Sequence, residues 1–221
     1  MMNKILLLIT TFLLTGMVVN GQRRLTEATI SYDFVVNTKN TSPGAADMLD
    51  GATSVVYLKG SRSRADFINS LGTQTTIYDS KTGSATNLIE YGHQRFMITF
   101  TPSEWKTSNK KYDNISYTIE DEYKTIAGYK CQKAVAKLDE GTNVVVYFTK
   151  DLVPVNSDFL YINKNLPGLV MQYVASQEKA TATYTVSTID FGVVPLSRFD
   201  LPISGYRVMS YTNYTESIKS K

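Results

Sequence analysis

Residues 144–149 read Val-Val-Val-Tyr-Phe-Thr, so a strand here presents Val144, Val146 and Phe148 on one side and Val145 and Tyr147 on the other. A strand apolar on both sides demands cover on both, yet no long 3.6-residue period after residue 21 supplies a helical layer. The sheet is expected to be roofed by its own connections. The nearest, residues 151–165, carries Leu152, Val153, Val155, Phe159, Leu160, Tyr161 and Ile162 at irregular spacing. Connections are normally polar and superficial, so an apolar one of this length is expected to fold back over a sheet face or to sit as a lid.

The rest of the chain supplies the sheet. Residues 28–37 alternate, with Ala28, Ile30, Tyr32, Phe34 and Val36 on one face. Residues 54–59 and 61–68 form a hairpin about Gly60, and 73–79, 84–91 and 94–100 continue as a meander. Pro102 opens a short helix that drops Trp105 onto the sheet, and a short helix is also expected at 43–49. Ile115, Tyr117 and Ile119 mark another strand, 127–138 pairs with 144–149, and 170–174 and 180–189 follow. The fold class is mainly β, an antiparallel sheet of about ten strands with short helices and a lid-like loop; that it is a single curved sheet, a half-barrel, is what a family resemblance implies. Residues 191–211, with Pro195, Pro202 and Gly205, are expected to wrap along an edge, and 212–221 to fray.

Two segments carry a family resemblance. Leu166-Pro167-Gly168-Leu169-Val170 resembles the signature of the GLPGLI family of secreted envelope proteins, and Gly128-Tyr129-Lys130-Cys131 resembles the segment that precedes it there. Asn165 stands in place of the first glycine and Val170 in place of the isoleucine. The resemblance covers about 50 residues and implies an architecture similar to the LolA-like lipoprotein-carrier half-barrels of Gram-negative envelopes. It brings no established activity.

Residues 1–21 read as a secretory signal peptide, with Lys4 ahead of an apolar run from Ile5 to Val19 and cleavage expected after Gly21. The run is shorter than the roughly 20 residues that span a bilayer, so no transmembrane segment is expected. Residues 22–211 then form one domain, exported to the periplasm or beyond. Loss of Lys4 takes the formal charge from +3 to +2, which excludes the strongly basic face that nucleic-acid binding needs.

The single cysteine, Cys131, forbids an internal disulfide; it reads as a small buried side chain, with an intermolecular or redox role as the alternative. The single histidine, His93, lies in a turn and rules out a multi-histidine metal site. No nucleophile elbow, phosphate loop or dinucleotide fingerprint occurs. The carboxylates Glu120, Asp121 and Glu122 fall on two faces under alternation, and Arg62, Arg64 and Asp66 share one, as a solvated face or, more sharply, with Arg64 pairing Asp66 or an anionic ligand. No enzyme, cofactor or metal is expected.

What stands out is 15 Tyr, 9 Phe and 7 Met, most of them in strands. A curved sheet so lined either fills its interior or encloses a ligand. The first reading is an exported binding protein for a lipid, acylated protein or other apolar ligand, lined by Tyr32, Phe34, Tyr57, Phe96, Ile98, Val146, Phe148, Phe159, Leu160 and Met171. The second is a structural or interaction component of the envelope, with a filled core and an envelope protein as partner.

Overall fold

A computed structural model describes residues 21–38, 49, 51–138, 142–176 and 180–219. The expected signal peptide, apart from Gly21, and nearly all of the expected helix at 43–49 lie outside the described residues. In chain order the elements are β1 (Arg23–Leu25), β2 (Glu27–Thr38), β3 (Thr53–Lys59), β4 (Arg62–Asn69), β5 (Gly72–Asp79), β6 (Ser84–Tyr91) and β7 (Gln94–Phe100), then helix α1 (Pro102–Ser108). The second half runs β8 (Thr118–Ile126), β9 (Tyr129–Lys137), β10 (Asn143–Thr149), β11 (Leu152–Pro154), β12 (Leu169–Ser176), β13 (Ala180–Asp190), β14 (Arg207–Ser210) and helix α2 (Tyr211–Lys219).

Twelve strands form one open sheet in the order β14-β7-β6-β5-β4-β3-β2-β13-β12-β10-β9-β8, so the sheet ends at two unjoined edges. Its pairs are antiparallel except β14 with β7, and β1 and β11 make a separate parallel ladder. The mainly β, open antiparallel architecture expected from the alternation is present. The strand count exceeds ten because β1, β11 and β14 are three- or four-residue strands inside stretches with no alternation to announce them. Each places only one or two side chains in the core, among them Leu25, Leu152 and Met209, too few to make a readable pattern.

Alternation did set which face is inside: Ala28, Ile30, Tyr32 and Phe34 are all buried while Asp33 and Val35 are exposed. The two-sided cover expected for β10 is only partly met. Val144, Val146 and Phe148 are buried, but Val145 and Tyr147 are half-buried, and the cover on Tyr147 is the ammonium of Lys124, 3.6 Å from the ring centroid. A long cationic side chain laid on an aromatic face does locally what a second layer would do.

The second half closes over the sheet from both ends. Residues 191–206 cross it by way of a 3-10 turn at Leu196–Phe199, with Phe199 buried and Leu201 still 42% exposed. Glu27 fixes the start of this crossing by accepting from Lys59 Nζ and from the Val194 N–H, both at 2.6 Å. Those hydrogen bonds, Lys59 first, hold the Glu27 carboxyl below its ordinary range. Where the sequence reading places a fraying tail, Tyr211–Lys219 is helix α2; its Tyr211 ring stacks on Phe100 at 4.7 Å and its Thr212 hydroxyl reaches Glu104 Oε1 at 2.7 Å.

Candidate ligand cavity

Cross-strand register puts paired residues on one face. One row runs Val186, Tyr32, Ser54, Phe67, Gln74 across β13, β2, β3, β4 and β5, and the next runs Ile30, Val56, Ala65, Thr76. Ser54, Ala65 and Thr76 are small, so the middle of these rows does not fill the space above it. The result is a cavity of about 470 Å³ over β2–β5, with Val170 and Tyr173 of β12 and Tyr184 of β13 forming a further wall. That volume falls within the roughly 300–1,000 Å³ of sites for single small molecules.

The roof comes from two connections. The first is α1 and the turn after it, which contribute Trp105, Asn109 and Tyr112. Local sequence builds α1 through a capping box: the Thr101 hydroxyl accepts from the Glu104 N–H, and the Glu104 carboxylate accepts from the Thr101 N–H at 2.8 Å. The Thr101 N–H first, then the Thr212 and Thr101 hydroxyls, donate to the Glu104 carboxylate and pull it down to about 2. Trp105 stacks on Tyr78 at 5.6 Å and meets Phe100 and Tyr161 edge-on at 5.2 and 6.0 Å.

The second roof piece is the apolar excursion, which does fold back over the sheet. After β11 it makes 3-10 turns at Ser157–Phe159 and Tyr161–Asn163, and Phe159, Leu160, Tyr161, Ile162 and Asn163 line the cavity. It is pinned along its length: Asn156 Nδ2 donates to the Ser61 carbonyl at 2.9 Å, the Tyr117 hydroxyl to the Ile162 carbonyl at 2.8 Å, and Asn165 Nδ2 to the Ile115 carbonyl at 2.9 Å.

Of the ten residues singled out from sequence, Tyr32, Phe159 and Leu160 line this space. Phe34 stands behind it, 5.1 Å from Phe67 and 4.5 Å from Tyr184, bracing both rings. Val146 and Phe148 are fully buried with Val170 in a neighbouring cluster, and Met171 is fully buried in the cluster of Tyr32, Phe159 and Val186. Ile98 is buried, and Phe96 packed, in a third cluster with Tyr78 and Phe100. Tyr57 is on the opposite face from Val56, with the Arg198 guanidinium 4.9 Å over its ring. The strand residues of the lining that the sequence reading missed include Phe67, Tyr173 and Tyr184, and no local signal marked them, since their place beside the cavity follows from pairing across strands.

Among the described residues, none that lines the cavity is charged. Most of the wall is aliphatic or aromatic, and burial pushes the Tyr184 hydroxyl up to about 12 and raises Tyr173 as well. Among the described residues, the buried polar atoms with no hydrogen-bond partner include Trp105 Nε1 and both amide atoms of Asn163.

The groups that could carry chemistry lie elsewhere. Cys131 is fully buried, donates to the Tyr129 carbonyl at 3.3 Å, and burial lifts its thiol to about 11. His93 is exposed in the β6–β7 turn. Glu120 and Glu122 both reach Lys133, at 3.1 and 2.8 Å, and Arg64 pairs with Asp66 at 2.8 Å beside Thr75, the sharper of its two readings. No cluster of three or more metal-ligating residues occurs among the described residues, and no helix there is long and apolar enough to cross a membrane.

Neither a family model nor a curated protein matches the chain. Solved structures do. PNGF-II is similar at TM-score 0.52 and 11% identity, over 87% of this chain and 32% of that one, so the chain spans about a third of that protein's length. An uncharacterised conserved protein from Thermus thermophilus is similar at TM-score 0.52 and 10% identity, over 84% of this chain and 90% of that one. A LolA superfamily protein from Nitrosomonas europaea matches at TM-score 0.36 and 8% identity, over 82% and 94%. At such identities the first two likenesses show the fold alone: an open antiparallel sheet shared nearly end to end with the Thermus protein.

Proposed function

We propose that this chain is a non-catalytic, exported binding protein that shelters a lipid, the acyl group of an acylated protein or another apolar ligand in the cell envelope. The cavity carries the reading: about 470 Å³ between the sheet and its own connections, walled by aromatic and aliphatic side chains. Filling such a wall with apolar surface gains roughly 25 cal/mol per Å² removed from water, whereas an interior meant only as core would be packed shut. The burial of Cys131, the one strong nucleophile, supports a role without covalent chemistry.

Membership of the GLPGLI family belongs to the same proposal. Its support is the backbone of the motif. Asn165 adopts φ +69°, a conformation glycine takes freely, and a Cβ on Gly168 would lie 1.9 Å from the Thr149 carbonyl oxygen. Export rests on the apolar run before Gln22.

Native mass spectrometry and fluorescent-lipid titration of the mature chain test the function. A bound or bindable apolar molecule is expected, and its absence from both measurements removes the reading. The envelope-interaction alternative is favoured by one observation: Val193, Leu196 and Ile203 in the C-terminal crossing and Val208 in β14 after it are 84, 59, 103 and 63% exposed. Crosslinking in intact cells through this crossing would recover a protein partner under that alternative.

A further inference from the structure

Asn163 is 3% exposed, lines the cavity, and neither its amide nitrogen nor its amide oxygen has a partner among the described residues. A buried amide left unpaired is costly, and native folds keep few of them. The Trp105 Nε1–H, buried in the same roof, is likewise unpaired, and the Trp105 ring is edge-on to Tyr161, two residues before Asn163. Two other polar side chains of the lining are committed within the fold: the Tyr32 hydroxyl to the Val170 carbonyl, and Asn109 Nδ2 to the Trp105 carbonyl and Ser108 Oγ.

Resting on the binding reading above, we propose that the cavity is built for an uncharged amphiphile, whose single neutral hydrogen-bonding group, such as an amide, ester or hydroxyl, is held by Asn163 and Trp105. The Trp105 N–H can only donate, while the Asn163 amide both donates and accepts, so the matching group must at least accept. An ionised headgroup is disfavoured because, among the described residues, no Lys, Arg, His, Asp or Glu lines the space to balance it. The apolar body of the ligand then lies over Ser54, Ala65 and Thr76, where the sheet is hollow.

The test uses the mature chain, the hydrocarbon fluorophore diphenylhexatriene as reporter, and decanamide and decanoate as competitors at pH 8. Decanamide is expected to displace the reporter from the wild type at least tenfold more effectively than decanoate. In Asn163→Leu and Trp105→Phe, decanamide should lose about tenfold in affinity while the reporter, which has no polar atom, binds as before. Ligand-free Asn163→Leu should also melt higher, since an unpaired buried amide is replaced by an apolar side chain of similar size. If the reporter binds but decanamide is unaffected by Asn163→Leu, or that variant melts lower than wild type, the assignment of the polar contact is wrong and the binding reading survives. If the reporter binds to none of the three proteins, both fall.

Discussion

The Tyr32 hydroxyl donates to the Val170 carbonyl oxygen at 3.3 Å, joining residues 138 apart in sequence on the floor of the cavity. Tyr32 is on β2 and Val170 on β12, with β13 between them in the sheet, so the contact spans a strand. It ties the part of the sheet that holds the small residues to the part that holds the aromatic wall. Burial raises the Tyr32 hydroxyl, which therefore stays protonated as a donor through the physiological range.

Tyr32→Phe should lower unfolding free energy by about 1–2 kcal/mol, because the Val170 carbonyl loses its side-chain donor without loss of ring packing. Urea denaturation reads this as a lower midpoint at unchanged slope. An unchanged midpoint would mean that the carbonyl finds another donor.

Gly168→Ala should cost about 1–3 kcal/mol, since the added methyl meets the Thr149 carbonyl oxygen at 1.9 Å and the turn into β12 must move. Gly60→Ala meets no atom within 4 Å, and its strain comes from a φ of +58° alone. A thermal melt that ranks Gly60→Ala as the worse of the two would contradict the packing at Thr149.

Cys131 should resist iodoacetamide at pH 8 in the native state and react once urea unfolds the chain. Its folded value, about 11, lies above its ordinary value of 9.0, so the unfolded state releases this proton first as pH rises. The contribution to stability is whole below pH 9 and is lost as pH climbs through about 11. Cys131→Ala should show a shallower loss of stability over that window when urea midpoints are compared at successive pH values.

Glu104 works in the opposite direction. Its folded value of about 2 is below the ordinary 4.5, so what it adds to α1 is present above pH 4.5 and lost as pH falls through about 2. Because α1 carries Trp105 into the roof, diphenylhexatriene binding should weaken over that acid window in the wild type and change less in Glu104→Gln. Equal pH profiles for the two would separate the cap from the cavity.

Much of the sheet was legible because a period of two is a local property. The burial of Ala28, Ile30, Tyr32 and Phe34, the hairpin at Gly60 and the helix opening at Pro102 each depend on a few neighbouring residues. The sequence also marked residues 151–165 as cover, since an apolar connection has nowhere to go but onto the sheet. It did not show which apolar residues face the cavity. Phe34 and Tyr184 look alike in the chain, yet Tyr184 lines the space and Phe34 backs it.

That difference is one of register and curvature, which belong to twelve strands together. The bulges between Tyr147 and Phe148 and between Val186 and Thr188 alter how strand residues pair beside the cavity. The gap exists only because Ala65 pairs with Thr76 across β4 and β5 while Ser54 of β3 lies in the adjacent row. Alternation along one strand determined inside from outside; alignment across strands decided where the inside is empty.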